Sequence, residues 1–336
     1  LTIVIPFDIK VESMKLTDIY WHLRSDIAKI EKELESTIDA NHPVLKKASI
    51  HLLKAGGKRI RPVFVLLAGK FGNYDIEKIK QVAVPLELIH MASLVHDDVI
   101  DDAELRRGKK TIMSKWDNRV AMYTGDYIFA RAIEMTTNCE KPEVHQILSD
   151  AMVEMCIGEV EQIRDQYNWN QNLKIYLRRI KRKTAILIAV SCRLGALAVD
   201  APREVQLSLY RYGYNVGMAF QITDDILDFI ATEKELGKPA GSDLQHGNVT
   251  LPALFSMKND EVLRSYIINI INGDKPEKKE MEEIISSIKQ AGGVDYSFEM
   301  SDRYLNKAYK ELENLPDFPA KESFYQIAKY IGTRKY

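Results

Sequence analysis

Leu94-Val95-His96-Asp97-Asp98-Val99-Ile100-Asp101-Asp102 closes an apolar run that begins after Pro85. An α-helix turns about 100° per residue, so Asp97 and Asp101 lie about 40° apart, one turn up, on one face. Asp98 and Asp102 form a second pair rotated from the first. Four carboxylates within six residues repel one another on a helix. Aspartate is also a weak helix former, suited to the opposite end of the macrodipole. Surplus surface acids at a helix end explain a scattered Asp or two, and explain this cluster poorly. All-oxygen donors suit a hard cation, Mg²⁺ before Zn²⁺. Magnesium ordinarily takes one or two carboxylates and completes its shell with water and phosphate oxygens.

The pattern returns in Gln221-Ile222-Thr223-Asp224-Asp225-Ile226-Leu227-Asp228. Asp224 and Asp228 again share a face, and Gln221 lies one turn back on the side of Asp224 and Asp225. Gly217 allows close packing or ligand approach. Two such stretches in apolar helices, if they face each other, make an electronegative mouth that demands cations. A phosphorylated substrate then bridges the ions.

The surrounding chain reads as helix almost throughout. Ile27, Ile30, Leu34 and Ile38 recur at helical spacing, and a second helix spans about Val44 to Leu53. Pro62 sits early in the apolar run Val63 to Ala68, and Pro85 opens the run from Leu86 to about Asp102, the tolerated place for proline. Further helical patterns cover 118–138, 142–166, 171–199, 203–231, 250–258, 260–272, 278–291, 297–313 and 320–331. Period-2 alternation is nowhere sustained. The expectation is an all-α bundle of about ten or more helices, with residues 1–336 forming one large domain and 1–24 a peripheral N-terminal extension.

The 336 residues are 46% hydrophobic, enough for a substantial core, and 47 basic against 48 acidic residues leave a net charge of −1. Without a basic patch or a reading motif, no nucleic-acid partner is expected. Cys139, Cys156 and Cys192 are odd in number and widely spaced, which favours reduced thiols in a cytoplasm over disulfides or zinc. No apolar run reaches the ~18 residues that span a bilayer. Leu1 to Pro6 is too short for a signal peptide and has no basic start.

A diphosphate also needs cations. Gly56-Gly57-Lys58-Arg59-Ile60-Arg61-Pro62 offers close backbone approach at a helix start, with Lys58 and Arg61 neighbours on that helix. The glycine spacing is not that of a P-loop. Arg106 and Arg107 follow the first acidic cluster, and Arg can fork onto phosphate oxygens. Lys183-Thr184 stands beside an apolar run, and Lys238 follows the second cluster. Each alone reads as a solvated surface residue; their placement around two acidic clusters argues for a site. His90 lies about 20° from Asp97 by helical angle, and from position alone reads as a core histidine. Neither a Ser-His-Asp nor a Cys-His arrangement can be argued.

Together these residues resemble the trans-isoprenyl diphosphate synthases. Gly56 to Arg59, both DDxxD motifs, Arg106-Arg107, Lys183-Thr184, Gly237-Lys238-Pro239 and Thr250-Leu251-Pro252 occur in the family's order, over nearly the whole chain from about residue 25. The wording of Val63 to Leu67 and Leu86 to Lys109 is similar to the large catalytic subunit, component 2, of the two-component heptaprenyl diphosphate synthases of bacteria. The resemblance implies helices around a central apolar cavity and a cytoplasmic enzyme. Such an enzyme condenses isopentenyl diphosphate onto an allylic diphosphate such as farnesyl diphosphate. Its product is a long chain for menaquinone, heptaprenyl ahead of hexaprenyl.

By that resemblance, Asp97, Asp101, Asp224 and Asp228 bind Mg²⁺, three ions with bound diphosphate, and Asp98 and Asp225 belong to the catalytic set. Lys58, Arg61, His90 and Arg107 bind isopentenyl diphosphate; Arg106, Lys183, Thr184, Gln221 and Lys238 hold the allylic diphosphate. The family reverses the bland reading of His90. Asn248 replaces a lysine carried by many relatives. Ile89 and the small Ala92 and Ser93, where short-chain members often place aromatics, imply a deep tunnel. A small partner subunit (component 1), dimerisation through helices and a transient membrane contact for product release are also implied. A terpene cyclase and a non-catalytic helical subunit are the rivals. The former usually has a different second motif, and the latter usually loses the aspartates.

Overall fold

The structure is a computed structural model that describes residues 16–233, 239–273 and 276–333. It is all-α apart from one short hairpin. Helix α1 (Leu16–Thr37) turns Ile19, Leu23, Ile30 and Leu34 to the core, one face of a helical wheel. Residues 16–24 thus pack into the body through Ile19 and Leu23. Helix α2 (Pro43–Lys54) starts on its proline. Helix α3 (Ile60–Gly69) is buried from Pro62 to Gly69 and runs through the interior.

Helix α4 (Ile76–Ile100) begins nine residues before Pro85, not at it. Asp75 caps it, accepting the Glu77 N–H at 2.9 Å. An interior proline costs an isolated helix roughly 3 kcal/mol. Here the residues from Val82 to Ile89 are all buried, and that packing outweighs the lost hydrogen bond.

After α4 come β1 (Leu105–Arg106) and β2 (Lys109–Lys110), an antiparallel pair. Arg107 and Gly108 join them with φ of 53° and 73°, the two positive values of a type I′ turn. Strands of two residues cannot display alternation, so the sequence carried no sign of them. Then follow α5 (Ile112–Lys115), α6 (Asn118–Thr136), α7 (Pro142–Asp165) and α8 (Leu173–Ile180). A single π-helical turn, Lys181–Ala185, leads into α9 (Ile186–Ala198), and α10 (Arg203–Ile230) runs beside it. The remaining helices are α11 (Ser242–Gln245), α12 (Leu251–Asn259), α13 (Glu261–Ile271), α14 (Lys278–Gln290), α15 (Gly293–Glu313) and α16 (Pro319–Thr333).

Helix α9 is apolar nearly all round, as a central helix must be. It packs on α3, α4, α7 and α10, while α6 covers α4 and α15 covers α10. The three cysteines are free thiols, with Cys139 and Cys192 buried and Cys156 exposed. No described helix is long and apolar enough to cross a membrane.

Candidate active site

Helix α4 delivers Asp97 and Asp98 in its last turn and is capped by Asp101, whose N–H bonds the Asp97 carbonyl at 2.8 Å. Asp102 then takes a left-handed φ of 48°, and the Ala103 N–H returns to the Asp98 carbonyl at 2.9 Å. This is a Schellman-type ending with aspartate where glycine is usual. Asp97 and Asp101 stay one turn apart, as expected. The helical pairing of Asp98 with Asp102 does not form, because Asp102 has left the helix. Asp98 is buried instead, and its Oδ1 accepts from Arg106 Nε and Nη2, each at 2.7 Å. It anchors Arg106 rather than facing the open side. Burial holds the Asp97 carboxyl above the usual carboxylate range and Asp101 adds to this, while Lys183 and Arg106 oppose it.

The π turn is the hub of the site. A Cβ on Gly158 of α7 would lie 2.7 Å from the Arg182 Cβ, and one on Gly217 of α10 would lie 2.6 Å from the Ala185 Cα. Glycine at both places lets two helices close on the turn. From it Lys183 donates to Gln162 Oε1 at 2.9 Å and reaches Glu159 Oε2 at 3.5 Å. Burial raises the Glu159 carboxyl, opposed by Lys183 and reinforced by the negative Asp97 and Asp101. Glu159 and Gln162 were missed in the sequence. Their i, i+3 spacing after Gly158 was the only signal, a weak one.

Thr184, the next residue, points to the second cluster. Its hydroxyl donates to Gln221 Oε1 at 2.6 Å, and Gln221 Nε2 donates to Asp225 Oδ1 at 2.9 Å. Tyr176 of α8 completes the line, donating to Asp225 Oδ2 at 2.6 Å. Tyr176 and Asp225 are both buried, and burial pushes the Asp225 carboxyl up to about 7 despite the two donors. Asp224 is half-buried; Asp228 is buried, with Oδ2 accepting the Asp243 N–H at 3.2 Å. Lys183 and Thr184 are consecutive, yet Lys183 bonds α7 and its charge bears on Asp97, while Thr184 bonds Gln221 beside the second cluster.

A basic pole adjoins them. Arg107 donates to the Gly56 carbonyl, and Tyr20 donates to the Lys58 carbonyl at 2.6 Å. Lys58 itself is exposed. Burial lowers the Arg61 guanidinium to about 10, with Glu87 countering and Arg107 adding. Its Nε is buried with no hydrogen-bond partner among the described residues. His90 is held well below its ordinary value by burial, then by Arg61, Arg107, Arg106 and Arg59. A neutral imidazole among four guanidiniums, with Glu87 as the buried acid, is an anion-attracting arrangement. Arg59, Glu87, His90, Leu94, Arg106 and Arg107 line a recess there.

Ile89 and Ala92 are buried on α4, and the Ser93 hydroxyl bonds the His90 carbonyl at 2.9 Å. Asn248 donates its N–H to the Asp243 carbonyl at 2.8 Å. Lys238 lies outside the described residues.

Among the described residues, no three His, Cys, Asp or Glu side chains gather closely enough to hold a metal alone. The candidate donors are carboxylates, and burial and the neighbouring Asp101 disfavour the Asp97 anion. That set fits a hard cation whose shell is completed by a phosphorylated ligand, and does not fit a closed structural metal.

The polyprenyl synthetase family model matches residues 42–288. The chain belongs to the polyprenyl synthetase family. Heptaprenyl diphosphate synthase component 2 of Bacillus subtilis (strain 168) is 56% identical over 329 residues, covering 98% of this chain and 94% of that protein. The same component from Geobacillus stearothermophilus is 55% identical, covering 96% and 100%. The crystal structure of heptaprenyl diphosphate synthase from Staphylococcus aureus superposes with a TM-score of 0.87 at 43% identity, covering 93% of this chain and 98% of that one. This polyprenyl synthetase is thus a prenyltransferase with the all-α trans-prenyl synthase fold.

Proposed function

We propose that this polyprenyl synthetase condenses isopentenyl diphosphate with an allylic diphosphate such as farnesyl diphosphate and releases heptaprenyl diphosphate for menaquinone. The observation that carries this reading is the π turn. Its Lys183 bonds Gln162 of α7 and its charge bears on Asp97, its Thr184 bonds Gln221 beside the second cluster, and an arginine-rich pole lies alongside. Such a place suits two diphosphates, one neutralised through cations and one by guanidinium groups.

Asp97, Asp101, Asp224 and Asp228 would hold Mg²⁺, three ions with the diphosphate bound. When bound, magnesium supplies the charge neutralisation that makes diphosphate a leaving group. Arg106, anchored on Asp98, and Lys183, steadied by Gln162, donate to the allylic diphosphate; Lys238 joins them. Gln221 and Thr184 act mainly by holding Asp225 and the turn, since their polar ends are bonded to each other. The allylic carbon–oxygen bond breaks, and the bonding electrons leave with diphosphate. The isopentenyl double bond attacks the resulting cation while Lys58, Arg61, His90 and Arg107 hold its diphosphate. Loss of a proton, taken by the released diphosphate, restores the alkene. The buried apolar wall with Ile89 and Ala92 excludes water from the cation. Ile89, Ala92 and Ser93 govern how far the chain grows.

The relatives are named component 2, so we assign this chain a second, smaller subunit in a heteromer. Supporting this, α7 exposes Val153, Ile157, Val160 and Ile163, an apolar stripe facing outward. We place the enzyme in the cytoplasm, where its long product is handed to a membrane surface. The test is incubation with farnesyl diphosphate, labelled isopentenyl diphosphate and Mg²⁺, with and without candidate partner subunits, followed by chromatography. A labelled seven-unit product is expected. A cyclic hydrocarbon formed from farnesyl diphosphate, with no label incorporated from isopentenyl diphosphate, overturns the reading.

A further inference from the structure

We propose that Glu87 is a positioning residue of the basic pole: through Arg59 it fixes a left-handed turn that sets where Lys58 and Arg61 meet a diphosphate. This rests on the reading of that pole as the isopentenyl diphosphate site.

Arg59 immediately precedes α3 with φ 47° and ψ 40°. Residues with a Cβ avoid this region, and the residue before a helix normally sits in the extended one. An arginine there must be held by its surroundings. Its guanidinium is buried; Nη1 donates to Glu87 Oε1 at 3.1 Å, Nε to Glu31 Oε1 at 3.4 Å, and Nη2 to the Leu53 carbonyl at 3.4 Å. The two acids differ in weight. The Glu31 side chain is 51% exposed and the Glu87 side chain 4%, so solvent screens the first pair and not the second.

The strained residue stands one place after Lys58 and two before Arg61, so its φ sets the direction of both. The flanking backbone is pinned as well, by Tyr20 on the Lys58 carbonyl and Arg107 on the Gly56 carbonyl. Glu87 also stands one turn before His90 on α4. One turn of that helix therefore carries a recess residue and the anchor of the opposing loop. The second Glu87 oxygen is buried without a hydrogen-bond partner among the described residues, and the residue lines the recess beside His90, Arg106 and Arg107. Its negative charge also offsets those of Arg61 and Arg107.

Two double variants in the assembled enzyme separate backbone placement from charge. Glu87→Gln with Arg59→Gly, and Glu87→Gln with Arg59→Ala, remove the same ion pair. Only glycine takes a φ of 47° without strain. The KM for isopentenyl diphosphate is measured at saturating farnesyl diphosphate, and the KM for farnesyl diphosphate at saturating isopentenyl diphosphate. The alanine double variant is expected to raise the isopentenyl diphosphate KM about five- to tenfold over the glycine one, the cost of a left-handed alanine. The farnesyl diphosphate KM and kcat stay within about threefold of each other in the pair. Glu87→Gln alone raises the isopentenyl diphosphate KM, and adding Arg59→Gly lowers it again. Equal isopentenyl diphosphate KM values in the two double variants overturn the proposal, as does an equal rise in both substrates' KM. A wild-type enzyme without turnover refutes the function proposed above, and leaves the two failures distinguishable.

Discussion

Tyr176→Phe removes one hydroxyl from a fully buried ring and leaves its volume nearly unchanged, so the loss is one hydrogen bond to Asp225 Oδ2. Its cost depends on the charge of the acceptor. A bond to an ionised carboxylate contributes about 1.5–3 kcal/mol, and one between neutral groups about 0.5–1.5 kcal/mol. Burial lifts the Asp225 carboxyl from 3.8 to about 7, so the folded protein keeps this proton over a range where the unfolded chain has lost it. Asp225 therefore contributes stability that is fully present below about pH 4, and that drains away as pH rises to about 7. The Tyr176 bond pulls the carboxyl down; without it the draining continues for about 1–2 further pH units. Wild type and variant should differ most on the alkaline side. With about 2.1 cal/mol/K of unfolding entropy per residue, the 336-residue chain loses roughly 1.4 °C of Tm per kcal/mol. Calorimetry in chelator should find Tyr176→Phe about 2–4 °C below wild type at pH 8.5 and about 1–2 °C below it at pH 5.5. A loss equal at both values, or larger in acid, refutes the placement of Tyr176 as the donor to a buried carboxylate.

Asp97→Ala and Asp224→Ala should each lower turnover by a factor of about 10³ while leaving Tm within a few degrees, as read by labelled isopentenyl diphosphate incorporation and calorimetry. Near-normal turnover in a folded Asp97→Ala protein contradicts its role. Gly217→Ala gains about 1 kcal/mol of helix propensity, yet places a methyl 2.6 Å from the Ala185 Cα, costing about 1–3 kcal/mol. A net loss of Tm and of incorporation is expected; a raised Tm with full activity counts against close approach at the π turn. Chelation with EDTA should abolish incorporation, and excess Mg²⁺ should restore it. Ala92→Tyr or Ser93→Phe should shorten the product on chromatography, and an unchanged product excludes these residues as the stop.

Much of this was legible because helices announce themselves by period and proline by position. The patterns at 118–138, 142–166 and 203–231 correspond to α6, α7 and α10 within two residues at each end. The one-turn spacing of Asp97 and Asp101 was legible too, since it needs only helical geometry. What stayed hidden depends on contacts distant in sequence. Pro85 looked like a beginning because a lone helix avoids interior proline, and burial from Val82 to Ile89 reversed that preference. The left-handed Asp102 was hidden because the aspartate spacing reads as a helix continuing to its last acid, although aspartate tolerates that region. Tyr176, Glu159 and Glu87 are ordinary letters in a sequence. Only packing makes them the partners of Asp225, Lys183 and Arg59.

Helix α4 has a consequence for how this chain can vary in length. Glu87, His90, Ala92 and Asp97 ride on one uninterrupted rod, and the first and last of these are about 15 Å apart along its axis. Inserting or deleting a single residue between His90 and Asp97 swings everything beyond it by about 100°, turning the acids, and Arg106 anchored on Asp98, away from Arg59 and Arg61, which stay in place. Even four added residues, which nearly recover the phase, push the acids about 6 Å further along. Indels in this segment should therefore be lethal to function, and natural length changes should collect in the connections outside it.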